Sequence, residues 1–322
     1  MFSKIGVVGA GAMGTAISQT ICENTEEVLL YAKRAEVTDS LNETHFNKEY
    51  FPNVRLEDNI IAINDLNELK DAEIIFLTLP SSVMREVTHE LKDIISSDCV
   101  LVNTAKGLEK DSQKRMSQVI EEETGRSAVV LSGPNIAAEM VERTFSSASI
   151  ACKNEEYLEK VERVLSTPRF KVSTSDDVVG VEYCGVVKNV IAISQGICEG
   201  MKINDNARFS VFTKTYNETK DLIESFGGNR DTVDDYCGFG DIITASTLNV
   251  SRNHTLGVLY GQKIVIDEKA SGVLFEGKNT ILILKDLCEL NNIECATVDF
   301  TYDVIIDGVN PKKAFEEFWS KL

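Results

Sequence analysis

The sequence predicts an α/β domain with a doubly wound, largely parallel sheet over residues 1–176, followed by an all-α domain over residues 177–322. Three observations carry this prediction. Short apolar runs alternate with helical patterns in the first half, which is typical of parallel strands covered on both faces. A glycine motif joins the first run to the first helical pattern. After about Asp176, apolar residues recur mainly at helical spacing.

The predicted strands of the first domain are short and rich in β-branched residues. After an opening run that ends at Val8, they are expected at 27–32, 60–63, 73–80, 99–105, 127–133, 147–153 and 170–175. Helical patterns lie between them at 81–95, 112–124 and 155–165. Strands in alternation with helices of this length favour parallel crossovers.

The second domain is predicted from helix-period segments at 178–199, 207–226, 241–249, 255–261, 277–291 and 311–321. A break at "SFGGN" (225–229) ends the second of them. Its one β-like run is "QKIVID" (262–267). Ligands usually bind in the crevice between two domains of these kinds, so we expect the site there.

Composition limits the class of protein. The chain has 322 residues, 43% of them hydrophobic and 26% charged, as in a soluble globular protein of one or two domains. Its net charge of -18 disfavours nucleic acid and acidic membranes as partners. A local cationic pocket for a small anion is still compatible with that charge.

Cysteine and histidine usage indicates a metal-free protein of a reducing compartment. Eight cysteines are scattered without a CxxC pair, and three histidines, at 45, 89 and 254, stand alone. The chain enters its first motif at once, and no apolar run has transmembrane length. We therefore expect a cytoplasmic protein.

The glycine motif Gly9-x-Gly11-x-x-Gly14 lies between a strand and a helix, the context of a Rossmann-like dinucleotide site. Its glycines allow a tight turn, the approach of a pyrophosphate and a close helix–strand contact, and the helix amides would hold phosphate. Where NAD-selective proteins place an acid, this chain has Lys33 and Arg34. The pair suggests NADP; a solvated basic pair is the alternative.

Polar residues also follow three other strands. Pro80 closes "LTLP", Lys106 follows "VLVNTA" and precedes a glycine, and Gly133-Pro134-Asn135 ends "VVLSGPN". The carboxyl ends of parallel strands share one edge with the glycine motif, which favours a functional role.

The stretch "GVEYCGVVKNVIAISQG" (180–196) places Lys188 in a helix that is apolar on nearly every side. Such a helix belongs in a core, where lysine is rarely buried without a partner. At helical spacing from Lys188 lie Gly185, Ala192 and Gly196, which would leave room beside the ammonium group. The alternative is a lysine that extends to water from the helix edge.

A polar segment, "CGFGDIITASTLNVSRN" (237–253), contains Asp241 and the pair Arg252-Asn253. Arginine beside an amide donor suits a phosphate. Helix capping by Asp241 and a surface position for Arg252 are the competing interpretation.

The motifs "GAGAMGTA", "NKEYFPNVRL", "NTAKGLE", "LSGPNIAAE", "VEYCGVVKNV", "GFGD", "SRN" and "FEGKNT" occur in this order over nearly the whole chain. In this respect the chain resembles the NAD(P)-dependent sn-glycerol-3-phosphate dehydrogenases of bacterial type. The resemblance implies oxidation of glycerol 3-phosphate to dihydroxyacetone phosphate, or the reverse, by a homodimer.

The resemblance also implies roles for individual residues. Lys188 would be the general acid/base, Lys106 would contact substrate and nicotinamide, and Asn189 and Asp241 would complete the catalytic group. The predicted cofactor contacts are Gly9, Gly11, Ala12, Met13, Gly14, Lys33, Arg34, Pro80, Lys106, Ala137, Arg252 and Glu276. The predicted substrate contacts are Lys106, Gly133, Asn135, Lys188, Asp241, Ser251, Arg252 and Asn253. No metal is expected.

A lysine acts as a base near neutral pH only if burial or a neighbouring cation lowers its pKa. The apolar helix would supply the burial of Lys188, and Lys106 the cation.

The chain departs from the family pattern on the expected substrate side. Ala245 replaces a threonine, with Thr244 adjacent, and residues 201–217 lack family glycines and an arginine. Another polyol phosphate therefore stays open as the substrate. Two different functions also stay open: a reductase of β-hydroxy acids, resembling ketopantoate reductase, and a nucleotide-binding regulator without turnover.

Overall fold

The computed structural model describes residues 1–247, 251–264 and 276–322, in two compact units. The first unit comprises Met1–Glu109 and Lys114–Val178, and the second Lys110–Gln113 and Val179–Leu322. Each is described by itself.

The first unit is built on an eight-stranded sheet in the order β3-β2-β1-β4-β5-β6-β7-β8. Neighbouring strands are parallel except β6 and β7, which are antiparallel, so the predicted largely parallel sheet is confirmed. The strands are β1 (Phe2–Val8), β2 (Thr25–Tyr31), β3 (Ile60–Ile63), β4 (Ile74–Leu77), β5 (Val100–Asn103), β6 (Val129–Ser132), β7 (Ser146–Ala151) and β8 (Phe170–Ser175).

Two apolar clusters lie in this unit. Along β4, Ile74 and Phe76 belong to one cluster, whereas Ile75 and Leu77 belong to the other. Successive side chains of a strand point to opposite faces, so both faces of the sheet are covered. This is why its strands read as continuous apolar runs rather than alternating ones.

The helices of the first unit are α1 (Ala12–Ile21), α2 (Ala35–Thr44), α3 (Met84–Leu91), α4 (Met116–Thr124), α5 (Ala137–Val141) and α6 (Glu155–Leu165). The predicted 155–165 helix is confirmed. The prediction for 112–124 starts too early, because a bridge between Leu108 and Arg115 precedes α4. The 81–95 helix is also too long, since 81–83 form a 3-10 turn. Sequence patterns missed α2 and α5.

The second unit is helical over its described residues. Its helices are α7 (Val178–Gly200), α8 (Asp205–Ser225), α9 (Asp241–Thr247), α10 (Arg252–Gly261), α11 (Glu276–Leu290), α12 (Ala296–Ile305) and α13 (Pro311–Trp319). The predicted helix starting at 255 in fact begins at Arg252. Of the β-like run 262–267, residues 262–264 form no strand, and 265–267 lie outside the described residues. Residues 248 and 249 of the predicted 241–249 helix also lie outside them.

Helix α12 was missed because its N-terminal cap is distant in sequence. Its N-cap residue, Cys295, makes no side-chain cap. Instead Glu218 of α8 accepts the amides of Ala296 at 3.0 Å and Thr297 at 2.9 Å, and the Thr297 hydroxyl at 2.5 Å. A buried carboxylate at a helix N-terminus is stabilised by the amides and the helix dipole. No local motif signals such a cap.

None of the helices that the structure describes combines the length and the apolar run needed to cross a membrane.

Candidate active site

The glycine loop of the first unit is shaped by contacts that exclude side chains. Gly9 has φ +114°, a conformation that favours glycine. A Cβ on Gly14 would lie 1.8 Å from the Gly9 carbonyl oxygen, so α1 packs directly on the turn. A Cβ on Gly11, in contrast, would meet nothing within 4 Å. The loop is thus closed behind and open at Gly11.

This geometry fits a dinucleotide pyrophosphate. Gly11 is the N-cap of α1 and has no side chain to occupy the helix amides, which start at Ala12 and Met13. The N-terminus of a helix carries a partial positive charge suited to phosphate. Asn47 supports the turn by donating to the Ala10 carbonyl at 3.0 Å. The residues present therefore match the predicted cofactor site.

Lys33 and Arg34 follow β2 and are both exposed. Arg34 forms an ion pair with Glu49, which lies 15 residues further along the chain. An exposed ion pair contributes little to stability, so it holds Arg34 only weakly and a 2′-phosphate could compete with Glu49. The basic pair remains a prediction for NADP binding.

A double change, Lys33→Gln with Arg34→Gln, is expected to raise the KM for NADPH about tenfold and leave the KM for NADH within twofold, since only NADPH carries the 2′-phosphate. Glu49→Gln, which frees Arg34, should shift preference the other way. Steady-state kinetics with both coenzymes check this, with Lys70→Gln as a matched exposed control. Equal effects on the two coenzymes would remove the argument.

Lys106 follows β5 and is held over the end of the neighbouring strand. Its ammonium group donates to the Gly133 carbonyl at 2.8 Å, directly after β6. Asn135 donates to the Ser147 carbonyl at 2.9 Å, which leaves its own carbonyl oxygen buried without a partner in the described structure. The structure therefore brings together three of the predicted substrate residues of this unit. Ala137 begins α5 nearby in sequence, and Pro80 precedes the 81–83 turn.

In the second unit, Lys188 forms a buried ion pair. Its Nζ lies 2.5 Å from Oδ1 of Asp241, with side chains 14% and 3% exposed. Lys188 is therefore not a lysine that extends to water. The predicted burial is present, and the partner within the unit is an anion, which stabilises the ammonium form.

Asn189 and Asn253 extend this group. Asn253 donates to the side-chain oxygen of Asn189 at 2.9 Å, which ties the N-terminal turn of α10 to α7. A Cβ on Gly277 would lie 2.5 Å from Oδ1 of Asn253, so α11 also packs against this amide. Four predicted residues, Lys188, Asn189, Asp241 and Asn253, thus lie in one hydrogen-bonded region.

Other predicted residues have positions that modify their expected roles. Ser251 is the N-cap of α10, where its hydroxyl accepts the His254 amide at 3.3 Å. Arg252 begins α10 and is exposed, and Glu276 begins α11. Gly196, expected to leave room beside Lys188, instead touches α10: a Cβ there would lie 2.1 Å from the His254 carbonyl oxygen. That expectation was wrong.

Sequence reasoning missed His254, which follows Asn253. The imidazole is 2% exposed, and its Nε2 lies 3.5 Å from Glu199, which also binds Arg208 at 3.0 Å. Burial lowers the pKa of His254, opposed by Glu199 and reinforced by Arg208. A lone histidine in a polar segment offers no sequence signal for this environment.

Because its folded-state pKa is lowered, His254 should make folding less favourable in acid. Below about pH 6.5 the unfolded chain binds this proton first, so stability falls as pH decreases toward the folded-state pKa. Urea unfolding between pH 5 and 8 measures this, and His254→Gln should flatten part of the decline. Parallel curves for the two proteins would contradict the prediction.

Across residues 1–247, 251–264 and 276–322, no three or more His, Cys, Asp or Glu side chains form a group that could hold a metal ion.

Comparison with known proteins agrees with these observations. The model of the NAD-dependent glycerol-3-phosphate dehydrogenase N-terminus matches residues 4–158, and that of the C-terminus matches residues 177–316. A glycerol-3-phosphate dehydrogenase [NAD(P)+] of Bacillus cytotoxicus is 34% identical over 319 residues, covering 97% of this chain and 94% of the relative.

Solved structures give the same result. A glycerol-3-phosphate dehydrogenase of Coxiella burnetii superimposes with a TM-score of 0.91 at 28% identity, covering 99% of each chain. A ketopantoate reductase of Ralstonia eutropha has a TM-score of 0.65 at 13% identity, covering 98% of this chain and 99% of that one, and shares the fold alone. The chain therefore belongs to the NAD-dependent glycerol-3-phosphate dehydrogenase family.

Proposed function

We propose that this protein is an NAD(P)-dependent dehydrogenase that interconverts sn-glycerol 3-phosphate and dihydroxyacetone phosphate. The observation that carries the proposal is the buried Lys188–Asp241 pair, joined to the Asn189–Asn253 hydrogen bond, in a chain of this family. Residues 1–176 would bind the dinucleotide and residues 177–322 the substrate. When bound, the nicotinamide supplies or accepts the hydride.

Lys188 carries the proton in this mechanism. Reduction of a ketone at C2 places negative charge on the oxygen, which must gain a proton in the same step. The ammonium form, stabilised by Asp241, donates that proton; in the oxidative direction the amine takes the hydroxyl proton. Asp241 also orients Nζ, since its carboxylate is almost fully buried and cannot rotate freely toward water.

The phosphate of the substrate would bind at the start of α10. Arg252 is exposed there and offers a planar guanidinium, and Asn253 is already oriented by Asn189. Ser251 takes part indirectly, because its hydroxyl caps the helix that carries both residues.

Lys106 would contact the substrate from the first unit. Its ammonium group is fixed by the Gly133 carbonyl beside the unpaired oxygen of Asn135. A cation there stabilises negative charge that develops on the reacting oxygen.

The decisive experiment follows NADH and NADPH oxidation with a panel of phosphorylated ketoses and with ketopantoate. Turnover of dihydroxyacetone phosphate with the highest kcat/KM supports the proposal. A preference for another ketose phosphate would instead assign the departures at Ala245 and 201–217 to substrate choice. Absence of turnover at any concentration would favour a nucleotide-binding regulator.

Arg252→Ala separates a phosphate site from a carboxylate site. It should reduce kcat/KM for dihydroxyacetone phosphate by about 10²-fold and for unphosphorylated dihydroxyacetone far less, because a charged hydrogen bond is lost only with the phosphate. Equal losses would favour the β-hydroxy-acid reductase.

We further infer a cytoplasmic homodimer. All eight cysteines, each within the described residues, are free and buried, which suits a reducing compartment. Sedimentation of the purified protein tests the dimer, which rests on the family resemblance.

A further inference from the structure

The loop that carries Lys106 is anchored by an arginine on a neighbouring helix. Arg85, on α3, donates through Nε and Nη2 to the two carboxylate oxygens of Glu109, at 2.8 and 2.7 Å. Glu109 lies three residues after Lys106 and is 18% exposed. A bidentate arginine–carboxylate pair fixes both distance and orientation.

The same guanidinium also binds α4. Nη1 of Arg85 donates to Glu123 at 2.6 Å and Nη2 to Glu122 at 3.0 Å. These contacts raise the pKa of Arg85 and lower the pKa values of both glutamates. Single exposed ion pairs contribute little, but a network around one planar guanidinium restrains every member.

The segment between Lys106 and Glu109 transmits this restraint. A Cβ on Gly107 would lie 3.1 Å from the hydroxyl of Ser81, so the loop backbone lies against the turn that leads into α3. Leu108 is 5% exposed and pairs with Arg115. Residues 81–85 therefore contact the loop at Gly107 and again at Glu109, which leaves the backbone of Lys106 little freedom.

On the other side, Thr104 donates to the Leu77 carbonyl at 2.9 Å, and Ala105 donates to the Asn103 side chain at 3.0 Å. Lys106 is thus enclosed between two anchored segments, only one of which depends on a charged side chain outside the loop.

We propose that Arg85 is a positioning residue of the active site, which acts through Glu109 to hold the Lys106 ammonium group in its reactive position. This inference rests on the proposed function, because it assumes that Lys106 contacts the substrate. A displacement of about 1 Å can reduce turnover by about 10²-fold, so loss of the pair should be visible kinetically.

The first test compares Arg85→Ala, Arg85→Lys and Glu109→Gln with Arg55→Met, which breaks an exposed ion pair with Asp58 elsewhere in the same unit. The three network variants should lose about 10- to 100-fold in kcat/KM for dihydroxyacetone phosphate, with the Kd of NADH unchanged. Arg85→Lys keeps the charge but loses the fork, so its failure would identify geometry as the cause. Normal kinetics in all three would overturn the inference.

Two further measurements distinguish positioning from general stability. Millimolar guanidinium chloride should restore activity to Arg85→Ala but not to Lys106→Ala, whereas potassium chloride should restore neither. Adding Arg85→Ala to Lys106→Ala should cause no further loss, because the two residues act as one unit. Additive losses, or no rescue, would show that Arg85 only stabilises the fold.

The outcomes separate the two proposals. If Lys106→Ala itself has normal kinetics, the proposed role of Lys106 fails. If Lys106→Ala is impaired and Arg85→Ala is not, only the inference about Arg85 fails.

Discussion

Replacing Lys188 with alanine is expected to lower kcat by about 10³-fold while the Kd for NADH stays within twofold. The reason is that Lys188 is the only group proposed to transfer the proton, whereas the residues proposed to hold the dinucleotide belong mainly to the first unit. Stopped-flow absorbance with dihydroxyacetone phosphate gives kcat, and NADH fluorescence gives the Kd. Substantial residual activity would exclude Lys188 as the acid/base.

A fold control is needed, because removing Lys188 alone takes the cation away from the buried Asp241 carboxylate. Breaking a buried ion pair costs about 3–5 kcal/mol, whereas replacing both partners is often neutral. The double variant Lys188→Met with Asp241→Asn should therefore be as stable as the unchanged protein and still inactive. Activity in this stable double variant would assign the proton to another residue.

Gly257→Ala is expected to destabilise the protein by about 3 kcal/mol, at the upper end for overpacking. A Cβ on Gly257 would lie 2.2 Å from the Ile193 carbonyl oxygen and 2.9 Å from the Ile197 amide, both backbone atoms of α7 that cannot rotate away. The helices would have to separate. Because Asn253 lies on the displaced helix, substrate binding should weaken as well.

Urea unfolding measures this loss of stability. Thr255→Ala, at an exposed position of the same helix, is the matched control and should change stability by less than about 0.5 kcal/mol. Similar midpoints for the two variants would contradict the close α7–α10 contact.

This contact explains four glycines that sequence patterns left without a role. Gly196 and Gly200 of α7 face Gly257 and Gly261 of α10, and an added Cβ at each would lie 2.1–2.4 Å from a backbone oxygen of the other helix. Spacing of four residues on both helices places each pair on one face. The packing brings the start of α10 to Asn189, beside the proposed base.

Strand prediction succeeded where burial on both faces made the apolar runs continuous. Strands β3 and β8 match the predicted ranges, and the others differ by a few residues at their ends. Helix α2 was missed because only Thr38 and Leu41 of its ten residues are buried, which leaves almost no apolar period.

The sequence by itself determined the class of fold, the glycine loop and the candidate residues, because these depend on local spacing and on residue chemistry. Only the tertiary structure decided that Lys188 pairs with Asp241, 53 residues away, and that Gly196 packs on a helix instead of leaving space. It also decided that Glu218 caps α12. These contacts join residues far apart in the chain, and no local pattern specifies which distant carboxylate or helix will be the partner.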